Sequence, residues 1–270
     1  MMRSLWTAAS GMTSQQIHVD TISNNIANVN TVGFKQETVN FKTLLYQNML
    51  PAQQEETVNP MVTQVGHGVR VGSISKNFET GTLIQTGNDK DIAIVGNGFF
   101  AIQNREEGQA AYTKDGSFKL GTTEDGVLAL VTSDGQYVLS TDAEPIIFEE
   151  GTTLADIKID PFGNVQYTDE SGELNELATI MVVQFANEEG LEAMGGNLFL
   201  ETAASGPALS EADEPTLTPS QLKTGFLEGS NVNIATEMVN LIVAQRAYEL
   251  NSKSITTADT MLGQAAQLKK

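Results

Sequence analysis

Leu5-Trp6-Thr7-Ala8-Ala9-Ser10-Gly11-Met12-Thr13-Ser14-Gln15-Gln16-Ile17-His18-Val19-Asp20-Thr21-Ile22-Ser23-Asn24-Asn25-Ile26-Ala27-Asn28-Val29 is the stretch on which the fold turns. Within it Leu5, Ala8, Met12, Gln15, Val19, Ile22, Ile26 and Val29 recur at alternating three- and four-residue steps. All but Gln15 are apolar, the a/d stripe of a helix that packs along a partner. A helix over residues 4–30 would run about 40 Å at 1.5 Å per residue. Thr31-Val32-Gly33 comes next, and Gly33 suits a left-handed C-terminal cap. The remaining faces carry Ser14, Gln16, Ser23, Asn24, Asn25 and Asn28 and almost no charge. Solvent-facing helix surfaces normally carry Lys and Glu, so small uncharged polar residues point to a face buried by close approach and hydrogen bonding.

The far end of the chain repeats the design. Met238, Leu241, Gln245, Tyr248, Ser252, Ile255, Asp259 and Leu262 follow the same step. A second stripe runs beside it through Val243, Ala247, Leu250, Met261, Ala265 and Leu268. Apolar residues on more than one face mean that a single partner helix cannot cover this segment. Asn231 or Asn233 is suited to cap its start, with Glu237 in the first turn. Two arrangements fit: an intramolecular two-helix hairpin, or helices that pair with each other and also with neighbouring copies. The scarcity of charge on the off-stripe faces favours the second.

Between the ends the pattern changes. Residues 51–65 are polar and lack helical periodicity, and read as an extended loop. Short apolar runs then occur at 92–95, 99–102, 118–120, 127–131, 137–139, 146–148, 157–159, 180–185 and 198–200. Asp115-Gly116, Asp125-Gly126, Asp134-Gly135 and Gly163-Asn164 punctuate them, a strong hairpin signal. The fold class is therefore α+β: an all-β central domain, a small barrel or sandwich, between N- and C-terminal helices that form a coiled-coil-type assembly domain. The expected divisions are an assembly helix over 1–33, an extended linker over 34–75, a β-rich outer domain over 76–226 and a second assembly helix over 227–270.

Composition limits the function. The 270 residues carry 15 Lys and Arg against 34 Asp and Glu, a net charge of −19. That argues against nucleic acid and against docking on an anionic membrane. The charge is uneven: residues 1–50 and 231–270 each carry +1, while 51–230 hold eight bases against 29 acids, or −21. With no cysteine, disulfides, Cys-based zinc sites and a Cys nucleophile are excluded. No apolar run approaches the 18 residues of a membrane span, and the N-terminus lacks the apolar core of a cleaved signal.

Several patterns imitate chemistry. Gly96-Asn97-Gly98-Phe99-Phe100-Ala101 matches the dinucleotide fingerprint, but Phe99 to Gln103 read as a strand where the phosphate site requires a helix N-terminus. The aspartates near 89–91 and in the Asp-Gly turns lack EF-hand spacing. His18 and His67 stand far apart, without neighbours at metal-ligand spacing. Glu106-Glu107, Glu149-Glu150 and Glu188-Glu189 would point apart on a strand rather than converge as an acid/base couple. No catalytic residue, cofactor or metal site is expected; the rival reading is an enzyme that binds a nucleotide at the Gly96–Ala101 turn.

Several stretches carry a resemblance. Ser23 to Lys35 resembles the N-terminal signature of the flagellar axial proteins, the rod and hook family. Ser230-Asn231-Val232-Asn233, Glu237-Met238-Val239 and Gln245 to Lys253 are similar to its C-terminal signature. Gly96 to Ile102, Tyr112 to Phe118 and Gly196 to Thr202 match its middle. The resemblance implies a non-enzymatic structural subunit of the bacterial flagellum. Its terminal helices would pack into a helical tube with other copies and with adjacent rod and hook proteins. Its β domain would face outward, and the segment near 46–70 would bridge subunits axially. It implies location in the basal body and export by the flagellar type III apparatus without a cleaved signal. Met2–Trp6 and the 45–70 region are similar to the rod's distal segment, with the proximal segment or another rod/hook paralogue of the family as the alternative. On this reading the assembly residues are Leu5, Met12, Val19, Ile22, Asn24, Asn25, Ile26, Asn28, Val29, Gly33, Phe34, Met238, Leu241, Gln245, Arg246, Tyr248, Asn251, Ile255 and Leu262. Among them Asn24, Asn28, Gln245 and Asn251 are candidates for hydrogen bonds between subunits, and Gly33 for a hinge.

Overall fold

The computed structural model describes residues 2–48, 64–103, 109–123, 126–148, 157–168, 174–214 and 217–267. The chain divides into two compact units. Unit 1 takes residues 1–27, 37–76 and 233–270; unit 2 takes 28–36 and 77–232.

Unit 1 is built on two helices, α1 (Met2–Ala27) and α2 (Ile234–Gln267). Asn233 caps α2: its side-chain oxygen accepts from the N–H of Ala235 at 3.0 Å and of Thr236 at 3.3 Å, satisfying two of the donors a helix start leaves free. The helices run antiparallel. Asn25 meets Glu237, Gly11 meets Asn251 and Ser4 lies beside Ala258, so numbers rise along one as they fall along the other. At Gly11 the approach is close; a β-carbon there would lie 2.9 Å from the Asn251 amide nitrogen.

In place of the extended linker expected over 34–75, residues 37–76 form a paired ribbon in their described part. Strand β1 (Glu37–Thr43) pairs antiparallel with β4 (Val69–Lys76), and β2 (Tyr46–Asn48) with β3 (Gln64–Gly66). The loop expected at 51–65 falls mostly outside the described residues. Asn25 ties α1 to the ribbon. Its side chain accepts from the Glu37 N–H at 2.9 Å and donates to the Glu37 carbonyl at 2.8 Å, as a strand partner would.

Unit 2 is a set of antiparallel sheets. The largest runs, in spatial order, through Glu192–Gly195, Leu198–Leu200, Ala110–Thr113, Phe99–Gln103, Tyr137–Val138, Leu128–Val131 and Lys119–Thr122; Val182–Gln184 and Leu209–Ser210 branch from it. Three further strands, Ile157–Ile159, Asn164–Thr168 and Leu174–Thr179, form a second sheet. Successive side chains of a strand point to opposite faces, and residues 99–103 bury both. Phe99 joins an edge-to-face aromatic cluster with Phe78, Phe185 and Phe199. Phe100 enters a separate core with Phe118, Leu130, Phe148 and Ile180. The sheets stay open among the described residues, so a closed barrel is not what forms.

The Asp134-Gly135 and Gly163-Asn164 turns join paired strands as expected, with both glycines at positive φ. Asp115-Gly116 does not. It links two strands that pair elsewhere, and a β-carbon on Gly116 would sit 1.8 Å from the Ile92 carbonyl oxygen; glycine is required there for backbone approach. The run at 146–148 makes only an isolated bridge, Ile147 to Ala129.

Residues 28–36 belong to unit 2, which also corrects the reading of Gly33. Helix α1 ends at Ala27, so Gly33 does not cap it. With φ +70° it donates its N–H to the Glu228 carbonyl at 2.8 Å and packs against the backbone of Lys114 and Asp115, a wedged turn rather than a hinge. Two residues on, Lys35 inserts its ammonium into the interior. It donates to Glu228 Oε1 at 2.7 Å and to the carbonyls of Phe78 and Glu79. The Lys35 and Glu228 side chains are 1% and 0% exposed. Asn231 completes the closure, accepting from Gln36 N–H and donating to the Asn77 carbonyl, each at 2.8 Å.

A second lysine, Lys114, is also fully buried. It donates to the Gly96 carbonyl at 3.0 Å and sits 4.9 Å from the Phe99 ring centre. Burial, reinforced by the Lys35 charge, lowers its pKa to about 8. Burial raises the pKa of Glu188, while Lys114 and Lys35 pull it down.

Two stability measurements test this interior. Lys35→Met leaves the Glu228 carboxylate buried with the Gly81 N–H as its remaining donor among the described residues; the expected loss in denaturant unfolding is about 3–5 kcal/mol. Adding Glu228→Leu recovers most of it, because the uncompensated charge is gone. Lys114 gives a pH signature. The folded state releases its proton near pH 8 and the unfolded chain near 10.5, so folding gains stability as pH rises through that window. Lys114→Met lacks this gain, and the difference between the two proteins should move by about 3 kcal/mol in favour of the unsubstituted chain between those pH values.

Candidate assembly interface

The first helix places its stripe largely as its spacing requires. Ala8 and Ile22 are buried, and Leu5, Met12, Gln15, Val19 and Ile26 are half-buried. Gly11, Ser14, Thr21 and Asn25 are buried as well. Of the small and amide-bearing residues off the stripe, Ser14 and Asn25 lie in contact and Asn28 is half-buried, but Gln16, Ser23 and Asn24 are exposed, so that face is buried only in part. Val29 and Phe34, beyond the helix end, are half-buried and buried parts of unit 2.

On α2 the seam falls in another phase. The expected stripe passes through 238, 241, 245, 248, 252, 255, 259 and 262. The buried or half-buried positions are Glu237, Asn240, Leu241, Ala244, Ala247, Asn251, Ser252, Ile255, Ala258 and Leu262, with Tyr248 exposed. Three of the eight expected positions, 238, 245 and 259, are exposed, with the buried residue one position earlier. The cause is the close approach of the two helices: Gly11 against Asn251, with Ala244 and Ala258 buried. Small residues allow the backbones to come together, so the larger side chains of α2 turn away. Met238 and Gln245 are exposed as a result, and exposed Arg246 pairs with Glu249 at 2.8 Å.

The outcome is a helix with little cover. Of the 34 residues of α2, three are fully buried: Glu237, Ala244 and Ala258. Ile234, Met238, Val239, Ile242, Val243, Leu250 and Met261 stand exposed. Val239, Ile242 and Trp6 of α1 were not among the expected interface residues. The runs Met238-Val239 and Leu241-Ile242-Val243, apolar on consecutive positions, were the available signal for the first two. Scattered exposed apolar side chains are ordinary, but a contiguous set on one helix marks a contact surface.

The amides expected to bond between subunits are in part occupied within the chain. Asn24 donates to Glu37 Oε2 at 3.2 Å, Asn28 accepts from the Thr31 hydroxyl at 3.1 Å and Asn251 packs under Gly11. Glu237 sits in the seam, accepting from Asn25 at 3.3 Å and from Asn240 at 3.4 Å. Burial pushes His18 below the ordinary histidine value, with the Glu237 charge opposing; its ring lies edge-on to Phe41.

Charge divides by folding unit as it does along the chain. Unit 1 holds eight Lys and Arg against seven Asp and Glu, net +1; unit 2 holds seven against 27, net −20. Two of the seven bases in unit 2, Lys35 and Lys114, are buried. The Gly96–Ala101 fingerprint proves to be a turn between strands Ile92–Val95 and Phe99–Gln103, its Gly96 carbonyl taken by Lys114. No helix N-terminus stands there to receive a phosphate.

Comparison with known proteins agrees with this organisation. Residues 5–35 match the model of the flagella basal body rod protein, 93–167 that of the flagellar hook protein FlgE/F/G D1 domain, and 223–268 that of the flagellar basal body rod FlgEFG protein C-terminal region. The chain is 46% identical to the flagellar basal-body rod protein FlgG of Borreliella burgdorferi, over the full length of both. It is 43% identical to FlgG of Caulobacter vibrioides, covering 99% of this chain and all of that protein, and 38% identical to FlgG of Bacillus subtilis over the full length of both. With terminal and central segments all matched and full-length relatives at this level of identity, the chain belongs to the flagellar basal-body rod protein family.

Proposed function

We propose that the chain is a structural subunit of the distal rod, part of the shaft that carries torque from motor to hook, and that it self-associates helically through unit 1. The observation that carries the reading is the uncovered apolar surface of α2 on a chain whose full-length relatives are rod proteins. The charge division supports it. Copies of unit 2, at −20, repel one another, while unit 1 is nearly neutral and can pack closely with its own kind.

Self-association then finishes what the single chain leaves undone. With three fully buried residues along α2, the helix pair gains little from burial in an isolated subunit, and neighbours supply the rest. Ordering the ends only on contact costs several kcal/mol, and the same lability suits passage of an unfolded chain through the flagellar export channel, with the N-terminal segment as its address. Rod and hook proteins adjacent in the basal body are the expected heterotypic partners. No bond-making chemistry is assigned.

Substituting Val239→Glu together with Ile242→Glu tests the reading. Both positions are exposed, so unfolding of unit 2 should change by no more than about 0.5 kcal/mol. Cells carrying the double variant should lose motility, and their purified basal bodies should lack the subunit. Normal incorporation and swimming would contradict assembly through this face.

A further inference from the structure

Trp6 is the single tryptophan of the chain, and it stands 75% exposed near the start of α1. Two helical positions before Ala8, it lies on the side of α1 turned away from α2. An exposed indole is unusual on a monomer surface and is the side chain most often found at the centre of protein contacts. Elsewhere on unit 1 an open groove of about 380 Å³ runs along the helix pair. It is lined by Leu250, Lys253, Thr257, Ala258 and Met261 of α2 with Ser4 of α1. Its apolar walls are unburied: Leu250 is 68% exposed and Met261 53%.

We propose that Trp6 of one copy seats in this groove of the next, a specific contact within the self-association proposed above, on which the inference rests. Three features fix the occupant as a second copy. The groove, at about 380 Å³, has room for an indole, with Leu250, Ala258 and Met261 as apolar contacts and Lys253 in the lining as a cation for the ring face. Both features belong to unit 1, whose net charge of +1 sets up no like-charge repulsion between copies, unlike the −20 unit. The groove is also continuous with the uncovered α2 surface, sharing Leu250 and Met261 with it. Because knob and groove are different surfaces, the contact is heterologous. It leaves an unfilled groove at one end of a row and a free indole at the other, so it propagates instead of closing as a dimer.

The chain reports on this contact without modification. In the dilute monomer the lone indole should emit as a solvated tryptophan. On self-association of the full chain the emission should shift to the blue, and iodide quenching should fall several-fold. An emission unchanged by assembly would overturn the proposal while leaving the rod reading intact. Geometry is tested by cross-linking, since no native cysteine competes. Trp6→Cys mixed with Thr257→Cys should give a disulfide-linked dimer, and the doubly substituted chain a ladder of multimers. Cross-linking of Trp6→Cys with itself, or no 6-to-257 product in assembled material, would overturn the pairing. Trp6→Ala should raise the concentration needed for assembly about 30-fold, with Trp6→Phe intermediate. If Val239→Glu with Ile242→Glu also assembles normally, assembly through the uncovered α2 surface fails, and this contact, which rests on it, fails with it.

Discussion

Helix α2 presents more apolar surface than α1 can cover. The seam between them is made close by Gly11, Ala8, Ala244 and Ala258, and closeness has a geometric consequence: the bulky residues of α2 cannot fit in it. Met238, Val239, Ile242 and Val243 are turned outward. An amphipathic helix of ordinary globular proteins has one apolar stripe and one charged face. Here the face opposite the seam is apolar as well, and on the proposed reading further protein completes the pair. The near-neutral charge of unit 1 and its position in a family of rod proteins follow the same logic.

Unit 2 solves a different problem. It is acidic and holds two apolar clusters, with a strand buried on both faces. The chain enters it at residue 28, leaves at 36, returns at 77 and leaves again at 232. Segments this far apart in sequence are joined by the Lys35–Glu228 ion pair and by the Asn231 side chain. A buried ion pair adds little net stability over a well-packed apolar pair, but a half-formed one costs several kcal/mol. The arrangement therefore favours closure with both segments in place over closure with either one missing. The signature Thr31 to Lys35, which reads as the end of an assembly helix, serves this closure.

The helices are legible in the sequence because heptad spacing is a local signal, and α1 keeps the predicted phase. The phase of α2 is not legible, because hydrophobic periodicity ranks large apolar residues first, whereas the contact selects small ones; the Gly11–Asn251 approach is invisible without both helices. The ribbon over 37–76 leaves no clear mark because Glu37 to Thr43 alternates with mostly exposed polar residues and its pairing partner lies some thirty residues on. The predicted apolar runs locate about half of the central strands, and Asp134-Gly135 and Gly163-Asn164 mark turns between paired ones. Asp115-Gly116 misleads because a glycine needed for backbone approach looks, in sequence, like one needed for a turn. The Lys35–Glu228 pair spans 193 positions, and nothing in a single sequence links two such residues.

The central claim is that the helices of unit 1 are completed by neighbouring copies while unit 2 stands alone. Amide hydrogen exchange on the full chain, dilute and assembled, addresses it directly. The account predicts fast exchange along α2 from Ile234 to Leu262 in the dilute protein, slow exchange in the strand Phe99–Gln103 under both conditions, and strong protection of α2 on assembly alone. Equal protection of α2 in the dilute and assembled protein would show that the helix pair is complete within one chain, and would contradict it.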